Sequence, residues 1–306
     1  MRVLVVANPQ ATATSPRERD ILARALASEA ELDIAETAHR GHAAALACRA
    51  MRDGTDVVVA LGGDGTINEV VNGLLTDGIH DAVPALGIVP AGSTNVTARA
   101  LGLPNDPLEA TGVLLDGLRA GSRRTISLGI VDGRYFAFAA GIGFDAAIVE
   151  RVERQRRRGK RSTHALYARQ GVREFFHTNR RTPRLHVELP DGAVFDDVHF
   201  AIVTNADPWT YVGNVPLHPT PHVTFESGLA LYARRRMGMT GVLISIARMA
   251  GSRPHVGERG AHVVHDLDGL VVRADEPMPV QVDGDYLDLR AKLVFGSAAE
   301  AVQIVH

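Results

Sequence analysis

Cysteine is almost absent from this chain: Cys48 is the only one in 306 residues. That excludes an internal disulfide and any zinc site built from several cysteines, and it suits a reducing compartment. An excess of charge of one sign is missing too. Lys and Arg number 33 against 35 Asp and Glu, a net charge of −2. Duplex-binding proteins carry a clear positive excess, so nucleic acid is not an expected partner. No run of about 18 uninterrupted apolar residues occurs, which argues against a membrane-spanning helix. The apolar opening, residues 1–7, turns at Asn8-Pro9. It is too short for the core of a secretion signal and reads as a buried first strand. The expected location is cytoplasmic, with any membrane substrate reached from the water side.

Hydrophobic residues make up 45% of the sequence, enough to fill two medium-sized domains. Over residues 1–124 strand-like and helix-like segments alternate: strands at 2–7, 56–61 and 84–89, helices at 16–31, 67–75 and 108–120. The strands are apolar throughout, as in a parallel sheet buried on both faces. From about residue 125 to 290 the texture changes to strands at 126–131, 135–140, 185–189, 198–204, 229–233, 270–274 and 279–282. Helical spacing interrupts them only at 145–153, 163–177 and 240–249. This predicts a second, mainly antiparallel domain.

The densest chemistry lies in Leu61-Gly62-Gly63-Asp64-Gly65-Thr66-Ile67-Asn68-Glu69. A buried strand ends, three glycines and an aspartate follow, and a helix begins. Glycine lets the backbone approach a ligand closely. A helix start offers N–H groups and the positive end of its dipole, so phosphate oxygens are natural guests. Asp64 is then placed to hold Mg²⁺ against those phosphates, because hard cations prefer carboxylate oxygens. The same residues also suit an ordinary strand-to-helix turn capped by Thr66. The pattern is neither a Walker A loop nor the dinucleotide fingerprint. A second loop, Pro90-Ala91-Gly92-Ser93-Thr94-Asn95, follows the next strand. It can cap a helix, but two such loops at the ends of neighbouring parallel strands open on one crevice, where open α/β sheets bind ligands.

With these motifs the sequence resembles the diacylglycerol kinase catalytic family, which includes bacterial lipid kinases and sphingosine kinases. The likeness begins at Asn8-Pro9 and passes through Thr37 and Gly41-His42-Ala43 to the two loops. It continues through Arg99-Ala100-Leu101-Gly102-Leu103-Pro104, Gly141-Ile142-Gly143-Phe144-Asp145-Ala146 and Val282-Asp283-Gly284-Asp285. The resemblance implies an α/β N-terminal domain like that of phosphofructokinases and NAD kinases, followed by a β-sandwich carrying the lipid site. The expected domains are 1–124, completed by 291–306, and 125–290. It implies that ATP contacts Asn8, Thr37, the loop of Gly62, Gly63, Asp64, Gly65 and Thr66 with Asn68 and Glu69 behind it, and Ser93, Thr94 and Asn95. The reaction is expected in the cleft between the domains.

Phosphoryl transfer needs positioning, charge neutralisation and a base at the attacking hydroxyl. The family's C-terminal Asp-Gly-Glu supplies carboxylates opposite the γ-phosphate; here Asp283-Gly284-Asp285 stands in its place. Either aspartate can be the base, with Asp283 preferred, and Asp64 and Asp285 are the expected Mg²⁺ ligands. An Asp-Gly pair is also a strong hairpin-turn signal. Three positions depart from the family pattern. Asp285 replaces the common Glu, Val96 follows Asn95 where many members carry an aspartate, and Glu226-Ser227-Gly228-Leu229 lacks the aspartate before glycine that often serves a structural Mg²⁺. Asp145 either orients the site or caps a helix.

Residues 151–161 hold seven basic residues and one acid, Glu153. They form either a solvated face or, with Arg234-Arg235-Arg236, a patch attracted to anionic lipid headgroups. Leu166, Tyr167, Phe175 and Phe176 face either lipid or the core. The histidines show no metal-ligand spacing. The leading expectation is an ATP- and Mg²⁺-dependent lipid kinase, peripherally bound to an anionic membrane, with room for a homodimer. The competing readings are a soluble kinase of the NAD kinase type and a non-catalytic nucleotide- or lipid-binding regulator.

Overall fold

The computed structural model of the chain describes residues 1–11, 16–156, 158, 164–178, 182–251 and 260–306. The chain divides into two compact units, Met1–Ser127 with Ala299–His306, and Leu128–Ala298.

The first unit runs β1 (Arg2–Ala7), α1 (Pro16–Ala27), β2 (Glu31–Glu36), α2 (His42–Arg52), β3 (Val57–Gly62), α3 (Asp64–Leu74), β4 (Ala85–Pro90), α4 (Val96–Ala100) and α5 (Pro107–Ala120). β1 pairs in parallel with β2 on one side and β3 on the other, and β3 pairs in parallel with β4. Every residue of β3 and β4 is buried, which accounts for their unbroken apolar runs. Because β1 is flanked by β2 and β3, the sheet reverses its winding there, and ligands of such sheets bind outside the carboxyl ends of the strands. Asn8, Gly63 and Ala91 follow those ends directly. The helices stop where the chain chemistry says they should. α5, for example, is capped by Asp106, which accepts from Leu108 and Glu109 N–H at 2.9 and 3.1 Å, and closes on Gly121 at φ 65°.

β5 (Arg123–Val131) leads into the second unit. There follow β6 (Arg134–Phe136), β7 (Ala139–Ile142), α6 (Phe144–Arg156), α7 (His164–His177), β8 (Leu185–Glu188), β9 (Val194–Val198), β10 (Phe200–Thr204), β11 (Thr210–Val212), β12 (Val215–Leu217), β13 (Leu229–Arg234), α8 (Met239–Met249), β14 (Ala261–Leu267), β15 (Gly269–Val282) and β16 (Asp285–Val305). Its strands are antiparallel in the order β14-β13-β10-β7-β15-β16, with β8 and β9 beside β15. Val187, Val203, Leu231, Val272, Val280 and Leu293 lie in one buried apolar core. The end of β16 belongs to the first unit, where Ile304 pairs in parallel with Leu86 of β4.

Candidate active site

Two loops meet at the backbone in the first unit. Ala91 N–H donates to Gly62 O at 2.8 Å. Gly63 and Gly92 lie so close that a Cβ on Gly92 would sit 2.7 Å from Gly63 Cα. Gly62 is needed for a different reason: its Cβ would fall 2.5 Å from Thr66 Oγ1. Asn95, in left-handed geometry at φ 51°, closes the second loop. Its Oδ1 accepts from Gly92 N–H at 2.8 Å, and its Nδ2 donates to Gly92 O and to Asn105 Oδ1. Asn8 Nδ2 donates to Thr66 Oγ1 at 3.3 Å, and Thr37 N–H donates to Ala7 O at 2.8 Å. The structure therefore gathers Asn8, Gly62, Gly63, Asp64, Gly65, Thr66, Gly92 and Asn95. Ser93 stays exposed and Thr94 half-buried.

Asp64 is engaged in a way the sequence does not disclose. Its Oδ2 accepts from Val96 N–H at 3.0 Å and its Oδ1 from Thr97 N–H at 2.9 Å. The carboxylate of one loop thus caps the short helix that follows the other. Burial raises its pKa, and the two backbone N–H groups offset only part of that rise. Val96 contributes its backbone N–H while its side chain is buried. Glu69 and Asn68 stand apart from the loop mouth. Glu69 accepts from Gly41 N–H at 2.8 Å and Ala43 N–H at 3.1 Å, capping α2, and Asn68 is buried within α3, accepting from Asn72 Nδ2.

What can this arrangement hold? The first turn of α3 carries N–H groups that no helical carbonyl can satisfy, with the positive end of the dipole behind them. Hydroxyls of Ser93 and Thr94 stand on the facing loop. The donors suit a phosphate. Among the described residues no three His, Cys, Asp or Glu side chains converge on a cation position; Mg²⁺ needs only one or two carboxylates when phosphates complete its shell.

The carboxylate pair lies in the second unit, in the two-residue turn between β15 and β16. Asp283 and Gly284 both have positive φ, 48° and 78°, as a type I′ hairpin requires. Asp283 is the aspartate that the sequence favours as base. Only 3% exposed, its carboxylate accepts from the N–H groups of Ala137, Phe138 and Ala139 at 2.8, 3.0 and 3.2 Å. It anchors the stretch entering β7. Asp285 is half-buried and borders a recess with Val152, Glu153, Arg156 and Tyr167. Burial raises the Tyr167 phenol, Arg156 opposes this, and the charges of Asp285, Asp145 and Glu153 add to it.

Asp145 opens α6 and is 7% exposed. Burial pushes its pKa up to about 6, against a weaker lowering by the Gln281 amide, which donates to its Oδ2 at 2.8 Å. Gln281 Oε1 in turn accepts from Gly284 N–H at 2.9 Å, tying the aspartate to the turn. A Cβ at Gly141 would fall 2.5 Å from Asp145 Oδ2, so only glycine fits there. Sequence reasoning missed Gln281; a polar residue between Val280 and Val282 in an apolar strand was the available signal.

Elsewhere the Glu226–Leu229 region is closed by its own bonds. Ser227 Oγ donates to Thr224 O and accepts from Thr224 N–H, both at 3.0 Å, and Gly228 N–H donates to Asp266 Oδ1 at 3.0 Å. Of the basic run, Arg151 pairs with Glu174 and Arg154 with Glu150, while Arg157, Lys160 and Arg161 lie outside the described residues. Phe175 is buried, and Phe176 is exposed.

Residues 2–129 match the family described as the diacylglycerol kinase catalytic domain. Over those residues the chain is similar to that catalytic domain. A diacylglycerol kinase of Bacillus subtilis is 48% identical over 89 residues, 29% of this chain and 27% of that protein. A YegS-like lipid kinase of Chromohalobacter salexigens is 37% identical over 137 residues, 45% of this chain and 42% of that protein. The matched stretches thus span less than half the length of either relative. Likeness of fold extends further. The structure of a Bacillus anthracis diacylglycerol kinase superimposes with a TM-score of 0.74 at 19% identity, covering 100% of this chain and 96% of that one. A second structure from that organism reaches 0.79 at 20% identity with the same coverage.

Proposed function

We propose that the protein transfers the γ-phosphate of ATP to a hydroxyl of a diacylglycerol-like or sphingoid lipid at an anionic membrane surface. The observation that carries this reading is the pair of glycine loops locked by Asp64 over the start of α3, within a region matching a diacylglycerol kinase catalytic domain. In this reading the phosphates rest on the first-turn N–H groups of α3, with Ser93 and Thr94 as further donors. Asn8 and Asn95 hold the two loops in shape. Asp64 fixes their spacing, and each of its oxygens keeps a lone pair beyond its backbone bond.

Asp285 takes the base role. It accepts the proton of the lipid hydroxyl as that oxygen bonds to the γ-phosphorus and the bond to the β-phosphate oxygen breaks, releasing ADP. Mg²⁺, assigned to Asp64 and Asp285, supplies neutralisation of phosphate charge when bound. Asp283 and Gln281 position the turn that carries Asp285.

The test is transfer of labelled γ-phosphate to a panel of lipids in mixed micelles, with NAD as a soluble control. Labelled lipid is the expected product. Labelled NAD alone would move the protein to a soluble-metabolite kinase, and no product with any acceptor would leave a binding protein.

A further inference from the structure

Helix α8 has an apolar face turned to solvent. Ser245 and Met249 are its buried residues. Ser245 is held from below by Arg234, itself 2% exposed, whose Nη1 donates to Ser245 Oγ at 2.6 Å. On the opposite side Met239 is 47% exposed, Leu243 61%, Ile244 52% and Ile246 47%. At 100° per residue, 239, 243, 246, 247 and 250 fall along one stripe, with 244 beside it. The hairpin of β11 and β12 packs next to the helix, with His218 N–H donating to Met249 O at 2.8 Å, and its tip exposes Val212 and Val215. An apolar helix face with an apolar hairpin tip on the neighbouring hairpin is far from the scattered single residues of an ordinary surface.

The surrounding charge identifies the occupant. Residues 234–251 contain four arginines and no acid. Arg236 and Arg248 are exposed, and Arg235 is exposed while paired with Asp197. A basic helix with an apolar face lies in the plane of a bilayer interface, its apolar side among the acyl chains and its cations at the headgroups. A second copy docking by the same patch would set these arginines against their own counterparts across a two-fold axis. An anionic lipid surface meets both the apolar and the charged part.

We propose that α8, with the tip of the β11–β12 hairpin, is a membrane-docking element that inserts its apolar face into an anionic lipid surface. Its purpose rests on the lipid-substrate reading, but its test needs neither ATP nor turnover. The full chain is sedimented with vesicles of phosphatidylglycerol and phosphatidylcholine, beside the double variant Leu243→Gln, Ile244→Gln. Both positions are solvent-exposed, and circular dichroism melts establish that the fold is kept. Wild type should co-sediment with anionic vesicles and lose affinity as salt screens the arginines; the double variant should bind at least about tenfold more weakly. Arg236→Gln with Arg248→Gln should weaken binding to anionic vesicles only.

Equal binding by wild type and the folded Leu243/Ile244 variant would overturn the proposal. So would a concentration-dependent dimer that this variant abolishes without any vesicle effect. An inactive wild type that still binds vesicles through α8 would overturn the kinase reading and leave this one standing.

Discussion

Asp64 does its work through two hydrogen bonds to the backbone of a neighbouring loop. Asp64→Ala removes a cap, a loss of about 1 kcal/mol and up to about 2 kcal/mol, and frees the second loop from the first. Turnover is expected to vanish while urea unfolding shows only that modest loss; full turnover in the variant would contradict the assignment. Asp145 makes a prediction about pH. Its folded pKa of about 6 lies above the ordinary 3.8, so the folded state retains a proton that the unfolded state has released. Stability must then fall as pH rises through the window from about 4 to about 6. The shift corresponds to about 3 kcal/mol above that window. Asp145→Asn is expected to unfold later than wild type at pH 7 by up to that amount, with the difference closing below about pH 4. Equal stability at pH 7 would show that the buried carboxylate carries no such burden.

At the scale of elements, close backbone approach and buried donors set the outcome. Gly92→Ala forces a Cβ to within 2.7 Å of Gly63 Cα, so the two loops must part. ATP affinity by calorimetry is expected to fall at least about tenfold, overpacking of this kind costing about 1–3 kcal/mol; an unchanged affinity would separate the loops from the nucleotide. Asp283→Ala strands three N–H groups, each costing about 1–3 kcal/mol when buried without an acceptor. Its thermal unfolding should shift strongly downward with or without nucleotide, whereas a catalytic residue alone would leave the melt in place.

The same scale shows what the sequence made legible. Apolar runs located β1, β3 and β4 to within a residue, because strands buried on both faces leave no other pattern. Of β2 only Glu31 fell within the helix expected over 16–31, and 32–36 went unassigned. No residue of β2 is buried at the edge of the sheet, and the segment is rich in Ala, Glu and Asp. α2 escaped notice because its buried positions are alanines 43, 47 and 50. The glycine loops announced themselves by composition. That Asp64 reaches residues 32 and 33 positions away, or Asp283 residues about 145 positions away, depends on how the chain folds back and no local pattern encodes it.

For the whole molecule, the two glycine loops lie in the unit completed by Ala299–His306, and the carboxylate turn in the unit of Leu128–Ala298. The proposed kinase reading draws on residues of both. Among the described residues no helix is long and apolar enough to cross a membrane. The most direct measurement is transfer of labelled γ-phosphate from ATP to diacylglycerol in mixed micelles by wild type and by Asp285→Asn, with ATP binding measured on both. Labelled lipid from wild type and a fall of at least about 100-fold in Asp285→Asn, ATP affinity unchanged, is the predicted result. Undiminished transfer by Asp285→Asn would remove the base assigned here, and no transfer by a wild type that binds ATP would contradict the account as a whole.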